Sequence, residues 1–271
     1  MATITVNSAY ALDIRDIDFS AIYEASSYAY SSSLFRANYG GGSDEFRGNG
    51  FKYNSSGEPV AGTVKSYAAT VGGVRAFIVE GISIAATDIV KAARTYSKTD
   101  DFALISKALA GKDTVSGGKG TDFVYTYGGN DTLGGNGGQD ALIAGSGDDK
   151  LTGGAGGDFL NGEAGRDTFI YKSVKDSYGS SQSTRDTIWG FSGSKGDRFD
   201  LSAIDANSKT ATNNAFSFIG SKAFTEKAGE LRYVKKADDT YIYGDVNGDG
   251  KADFSIHLDD AITLQKGYFV L

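Results

Sequence analysis

Seven aspartates stand nine residues apart in the middle of this chain: Asp113, Asp122, Asp131, Asp140, Asp149, Asp158 and Asp167, with Asp176 continuing the register. Two positions before each of the seven is a glycine: Gly111, Gly120, Gly129, Gly138, Gly147, Gly156 and Gly165. Two positions after each is an apolar residue: Val115, Val124, Leu133, Leu142, Leu151, Leu160 and Phe169. Short carboxylates in glycine-rich turns are donors that hard cations such as Ca²⁺ prefer, and glycine lets a backbone carbonyl face an ion without a Cβ in the way. A period of nine with one apolar residue per copy reads as a short strand followed by a turn. Two copies then make one coil of a flattened solenoid, with the apolar column as its thin core. Turns i and i+2 fall on the same edge, about one strand spacing apart. Their carboxylates repel one another unless a cation sits between them. The candidate ligands are Asp113, Gly118, Gly120, Asp122, Gly129, Asp131, Gly138, Asp140, Gly145, Gly147, Asp149, Gly154, Gly156, Asp158, Gly165 and Asp167.

Composition narrows the alternatives. The chain has 271 residues with 38 Gly, one Pro, no Cys and one His, and 27 of its 34 acids are Asp. Without Cys there are no disulfides, thiolate zinc sites or cysteine nucleophiles. A single histidine, His257, rules out a His-Glu-x-x-His zinc site, and it falls among alternating strand residues, facing outward. A net charge of −7 makes nucleic acid an improbable partner. No apolar run is long enough for a transmembrane segment, and the first twenty residues carry no signal-peptide pattern.

The repeat Gly117-Gly-Lys-Gly-Thr-Asp122-Phe-Val and its copy Gly153-Gly-Ala-Gly-Gly-Asp158-Phe-Leu resemble the calcium-binding nonapeptide of RTX (repeat-in-toxin) proteins. Residues 126–131 and 162–167 lack some of its glycines, which predicts weaker turns there. After the repeats come Arg185-Asp-Thr-Ile-Trp-Gly-Phe191, Asp197-Arg-Phe-Asp-Leu-Ser-Ala-Ile-Asp205 and Gly244-Asp-Val-Asn-Gly-Asp-Gly-Lys-Ala-Asp-Phe254. Their order resembles the C-terminal region of serralysin-type metalloproteases, without the protease domain. The resemblance implies a parallel β-roll holding several Ca²⁺ ions, a β-rich cap, and export from a Gram-negative bacterium by a type I secretion apparatus. In that family the chain end is acidic and then apolar. Here Phe269-Val-Leu271 keeps the apolar part, and Tyr268 stands where the acid is expected. As a signal read while unfolded, residues 268–271 are expected to contribute little to the fold.

A second candidate site is the loop Asp245-Val-Asn247-Gly-Asp249-Gly250-Lys251-Ala-Asp253. Its oxygen side chains at positions 1, 3, 5 and 9 with Gly at 6 match the start of a calcium loop. The candidate ligands are Asp245, Asn247, Asp249, Lys251 and Asp253. Position 12 is Ile256, so an EF-hand is excluded. A metal loop between two strands and a metal-free hairpin both remain open.

The expected architecture is all-β in the main. A β-rich unit over 1–110 ends in helices over 87–96 and 99–110 and covers the open end of the solenoid. An RTX β-roll of Ca²⁺-binding nonapeptides runs over 111–176, and a serralysin-like β domain with the secretion signal over 177–271. In the last part Ile188, Phe191, Phe199, Tyr241 and Tyr243 are among the expected core residues, and Trp189 is assigned to the core too. The resemblance implies the expected function: a secreted, extracellular protein that folds on binding Ca²⁺ outside the cell, expected to carry no catalytic residues and to act by adhesion to matrix, an extracellular polysaccharide or a cell surface. The alternative is a small polysaccharide-active enzyme with its active site in residues 1–110, built on Asp44, Glu45 or Glu80.

Overall fold

The structure, a computed structural model, describes residues 1–271. Strand β1 (Thr3–Val6) is followed by two short 3-10 segments, Ile14–Asp16 and Phe19–Glu24. An antiparallel meander follows: β2 (Ser27–Ser31), β3 (Leu34–Tyr39), β4 (Gly42–Tyr53), β5 (Pro59–Val71) and β6 (Val74–Ala85). Gly72 and Gly73, with φ of 57° and 80°, form the two-residue turn between β5 and β6. Helices α1 (Ala86–Ala93) and α2 (Lys98–Ala108) follow; Ser97 caps α2 through the Thr99 N–H. Gly40 and Gly41 form the tight turn between β3 and β4.

The repeats form β7 (Thr114–Ser116), β8 (Phe123–Tyr125), β9 (Thr132–Gly137), β10 (Ala141–Ile143), β11 (Lys150–Ala155), β12 (Phe159–Asn161) and β13 (Thr168–Ile170). Odd and even strands go to two different sheets, each parallel within this region. Beyond them lie β14 (Thr187–Trp189), β15 (Arg198–Asp200), β16 (Ser217–Gly220), β17 (Glu230–Lys235), β18 (Thr240–Asp245), β19 (Phe254–Leu258) and β20 (Phe269–Val270). One sheet has twelve strands in the order β2-β3-β4-β5-β6-β1-β7-β9-β11-β13-β15-β20, and the other has eight, β16-β17-β18-β19-β14-β12-β10-β8. The core between them is the apolar column of the repeat. Ile4, Val115, Leu133, Leu151, Phe169, Phe199 and Phe269 are in register across the first sheet, and Val124, Leu142, Leu160, Ile188 and Leu258 across the second. Burying one such side chain contributes about 1.5–3 kcal/mol.

Several elements differ from the sequence expectation. Residues 2–13, not the helices, close the open edge of the roll: β1 pairs in parallel with β7, the Phe123 N–H donates to the Leu12 carbonyl, and Asp13 bridges to Phe123. This segment forms a coil of the roll without carrying the repeat. Asp176 leaves the register, because its carboxylate accepts from the Lys172 and Ser173 N–H groups instead. Trp189 is 45% exposed, since Ile188 is the inward residue of β14 and its neighbours must face out. Ile242, not Tyr241 or Tyr243, faces inward from β18 for the same reason. The chain end is also part of the fold. Phe269 pairs against Phe199 of β15 and its ring lies 5.5 Å from the Phe199 ring and 5.2 Å from the Phe218 ring.

Candidate metal centre

The nine-residue register puts the aspartates in two stacks, one on each edge of the roll, and each stack is stitched by its own backbone. The N–H of Asp113 donates to Asp131 Oδ1 at 2.7 Å, that of Asp131 to Asp149 at 2.6 Å, and that of Asp149 to Asp167 at 3.0 Å. On the other edge Asp122 donates to Asp140 at 2.8 Å and Asp140 to Asp158 at 2.9 Å. Both stacks run past the repeats. Asp158 donates to Asp186 and Asp167 to Asp197, across gaps of 28 and 30 residues. Before the repeats, the N–H groups of Ala2 and Leu12 donate to Asp113 and Asp122. Asp186 and Asp197 were missed by sequence reasoning because inserted loops break the spacing. The local signal that finds them is Asp followed two positions later by an inward apolar residue, Ile188 or Phe199.

These carboxylates are at most 4% exposed, from Asp113 through Asp197. Oδ1 is used by the stack, but Oδ2 of Asp113, Asp140, Asp149 and Asp158 is buried with no hydrogen-bond partner, while Asp131 has only Thr126 beside it and Asp186 only the buried Tyr171 hydroxyl. No Lys or Arg side chain forms an ion pair with any of them; the Met1 amino group lies 4.0 Å from Asp113, and Arg198 and Lys195 act on Asp197 only from a distance. Burial, with a smaller push from Asp158 and Asp122, raises Asp140 to about 7. Burial likewise raises Asp167 to about 7 and Asp149 and Asp158 to about 6, and drives Asp186 well above the ordinary carboxylate range. A buried carboxylate without a counter-ion is costly, so the stacks require either protons or cations. An all-oxygen donor set of stacked carboxylates fits a hard divalent cation, and Ca²⁺ better than Mg²⁺, which demands a tighter octahedron.

The two edges are not equivalent. Five residues before Asp122, Asp140 and Asp158 are Gly117, Gly135 and Gly153, and a Cβ on any of the three would run into Oδ2 of its own aspartate. The missing Cβ thus leaves the space that Oδ2 occupies, partnerless at Asp140 and Asp158 and bonded to the Gly118 N–H at Asp122. On the other edge the same place holds Ala108, Thr126 and Ala144 before Asp113, Asp131 and Asp149, with Gly162 only before Asp167. Gly118 completes its turn by donating to Asp122 Oδ2 at 2.8 Å. Gly129, Gly138, Gly145, Gly147, Gly154, Gly156 and Gly165 have φ between 100° and 146°, a range closed to most other residues. Gly120 has its place beside Ala11, in the coil formed by residues 2–13.

The Asp245–Asp253 loop is built differently. Asp245 accepts from the N–H groups of Asn247, Gly248 and Gly250, and Asp253 from Val246 and Asn247. Asn247 and Asp249 accept in turn from the Asp249 and Lys251 N–H groups at 2.8 and 2.9 Å. Its carboxylates are therefore held by the loop itself, and none of their oxygens is a buried orphan.

Among the acids of residues 1–110, Glu45 pairs with Arg36 and Arg47, and Glu80 is exposed. Asp44 accepts from the Tyr39 and Tyr67 hydroxyls at 2.6 and 2.8 Å, and burial raises its pKa. His257 faces outward as expected, with Nε2 at 2.9 Å from Asp239 and Nδ1 at 3.1 Å from the Thr187 hydroxyl.

The profile of the family described as Peptidase M10 serralysin C terminal matches residues 3–270. No curated protein sequence matches the chain. Among solved structures, the chain is similar to the AlgE6R2 subunit of the Azotobacter vinelandii mannuronan C5-epimerase, with 23% identity, 60% of this chain and 92% of that one covered, and a TM-score of 0.41. It is also similar to the AlgE6R3 subunit of the same epimerase, with 25% identity, 59% and 78% covered, and a TM-score of 0.27. Because the family match runs over nearly its whole length, this chain belongs to the C-terminal family of the serralysin-type M10 peptidases, as an RTX-type β-roll.

Proposed function

We propose that the chain is a secreted, non-enzymatic module that folds on binding Ca²⁺ outside the cell and acts by contact with extracellular matrix or a cell surface. The observation that carries this reading is the row of buried, partnerless Oδ2 atoms in the two aspartate stacks. Asp122, Asp140, Asp158 and Asp186 would hold ions on one edge, and Asp113, Asp131, Asp149, Asp167 and Asp197 on the other. Ca²⁺ would supply the positive charge that the stacks lack. The turn glycines, among them Gly118, Gly120, Gly129, Gly138, Gly145, Gly147, Gly154, Gly156 and Gly165, would let the backbone close around it. The loop of Asp245, Asn247, Asp249, Lys251 and Asp253 would be a site of a second kind, shaped by its own N–H groups and so less dependent on the ion for its form.

Coupling of ion binding to folding follows from burial. Before folding, the carboxylates are hydrated and far apart; after folding, they are stacked and dry, so the ion binds the folded state and stabilises it by mass action. In a low-Ca²⁺ cytosol the chain would stay unfolded and competent for a type I secretion apparatus, and it would fold where Ca²⁺ is millimolar. The units proposed are residues 1–110, the roll over 111–176 and the C-terminal part over 177–271. The test is far-UV circular dichroism of purified protein in EDTA and through a Ca²⁺ titration. A cooperative gain of β signal in Ca²⁺, and little in Mg²⁺ at the same concentration, supports the reading. Identical spectra and identical Tm with and without Ca²⁺ overturn it.

A further inference from the structure

The outer face of the eight-stranded sheet carries a feature that ion binding leaves unused. Where β12, β14 and β19 meet the loop over 177–186, a cavity of about 440 Å³ opens to solvent. Its apolar wall is Trp189, with the Phe159 ring 5.0 Å away. Its polar wall includes Gln182, Arg185, His257 and Asp259. The side chains of Trp189, Gln182, Arg185 and Asp259 make no hydrogen bond or ion pair within the protein, and all four converge on this one space.

The walls are held in place. Lack of a Cβ at Gly157 lets the Gln182 carbonyl lie against it. The loop is closed by the Tyr178 N–H donating to the Thr184 carbonyl at 2.8 Å, and pinned to β19 by the Ser255 hydroxyl donating to the Gly179 carbonyl at 2.7 Å. Arg185 is steadied by its guanidinium lying 4.8 Å over the Tyr241 ring, and His257 by Asp239 and Thr187. A site of this size has room for one small ring; its lining is more polar than that of most small-molecule pockets, which suits a ligand rich in hydroxyls.

The donor set selects the ligand. The negative face of an indole attracts the weakly positive axial C–H groups on one face of a pyranose chair. Arg185 offers only donors and Asp259 only acceptors, whereas each sugar hydroxyl is donor and acceptor at once. Vicinal hydroxyls on one pyranose therefore satisfy both residues together. The Asp259 carboxylate lies within 4.8 Å of the Asp239 and His257 donor atoms, so two carboxylates stand against the Arg185 guanidinium at this wall, which favours a neutral sugar over an acidic one. The face also continues beyond one subsite. Trp189, Asn161, Ile143 and Tyr125 are in register on successive strands, so a second aromatic pair, Tyr125 and Tyr127, lies about 14 Å from Trp189 across Asn161 and Ile143.

We propose that this cavity binds a neutral hexopyranose unit of a polysaccharide, whose chain runs across the strands toward Tyr125. This deepens the surface-contact reading and rests on it. Trp189 is the single tryptophan, so its fluorescence reports on this site alone. The Ca²⁺-loaded full chain is titrated with hexasaccharides of β-1,4-glucan, β-1,3-glucan, α-1,4-glucan and β-1,4-mannan, and with an oligogalacturonate as the acidic probe. Circular dichroism of the same samples records the fold. A saturable change in emission with at least one neutral hexasaccharide is expected, weakened about tenfold by Arg185→Ala and by Asp259→Ala. Arg75→Ala, on the exposed meander surface, should leave it unchanged. No change with any neutral probe at millimolar concentration, or a response to the acidic probe alone, overturns the proposal. If Ca²⁺ still drives folding in those samples, the folding reading stands without it. If the fold ignores Ca²⁺, that reading fails regardless of the sugar result. Should either variant lose its β signal, Gln182→Ala, on the same wall, replaces it, with the same weakening expected and unchanged affinity counting against the site.

Discussion

Gly135 offers a way to disturb the proposed ion site without removing a charge. A Cβ there would press into Asp140 Oδ2 and lie 2.6 Å from the Gly153 carbonyl oxygen, so one methyl group strikes two oxygens of neighbouring turns. The neighbouring residue Gly134 is the control: its Cβ would meet nothing nearer than the Val115 oxygen at 3.8 Å. Neither glycine has a positive φ, so alanine fits the backbone at both and only space differs. Forcing a methyl into a packed site costs about 1–3 kcal/mol. If that strain falls on the ion-bound state, the Ca²⁺ affinity of this edge drops about 5- to 150-fold. Calorimetric Ca²⁺ titration of Gly135→Ala, Gly134→Ala and the parent chain measures it. Gly135→Ala should weaken binding by a factor in that range, and Gly134→Ala should bind like the parent. Equal behaviour of the two variants would refute the assignment of Oδ2 as the ion-facing oxygen.

Further outcomes follow from the same geometry. The raised carboxylate values make the ion-free fold a proton acceptor: its stability is lost as pH rises through about 6–7, the range of Asp140, Asp149, Asp158 and Asp167, and is regained on acidification toward the unfolded value near 4. In EDTA, β signal should therefore be greater at pH 5 than at pH 8; the opposite order by circular dichroism would contradict it. Asp140→Ala should reduce Ca²⁺ cooperativity more than Asp113→Ala, because Asp140 lies between two stacked aspartates while Asp113 meets the Ala2 N–H on one side; equal Hill slopes would count against stacking. Phe269→Ala should lower stability by about 3–5 kcal/mol, as for other buried phenylalanines, read as a fall in Tm in saturating Ca²⁺. An unchanged Tm would place β20 outside the fold.

How much could be read in advance depended on which residues carried a period. Where aspartate, glycine and an apolar residue recur every nine positions, strand, turn and pairing register all follow, and the i, i+2 stacking appears in the hydrogen bonds of Asp113 through Asp167. Asp186 and Asp197 were hidden because the loops before them change the spacing while the three-dimensional position is kept. Residues 2–13 were hidden for another reason. An edge can be closed by any strand with free N–H and C=O groups, so Ala2 and Leu12 need no side-chain signature to serve. Hydrophobicity alone puts Trp189 and Tyr241 inside, whereas the alternation around Ile188 and Ile242 points them outward. Phe269 lies two residues from the last position, where sequence offers no sign of packing, and its ring contacts reveal the strand it completes.

The most direct test is a crystal structure grown in millimolar Ca²⁺ with an anomalous difference map collected at long wavelength. Peaks within about 2.3–2.6 Å of Oδ2 of Asp122, Asp140 and Asp158, strongest on the edge carrying Gly117, Gly135 and Gly153, are the predicted result. A map without peaks between the turns, with the same stacked carboxylates bridged by protons, would contradict the account.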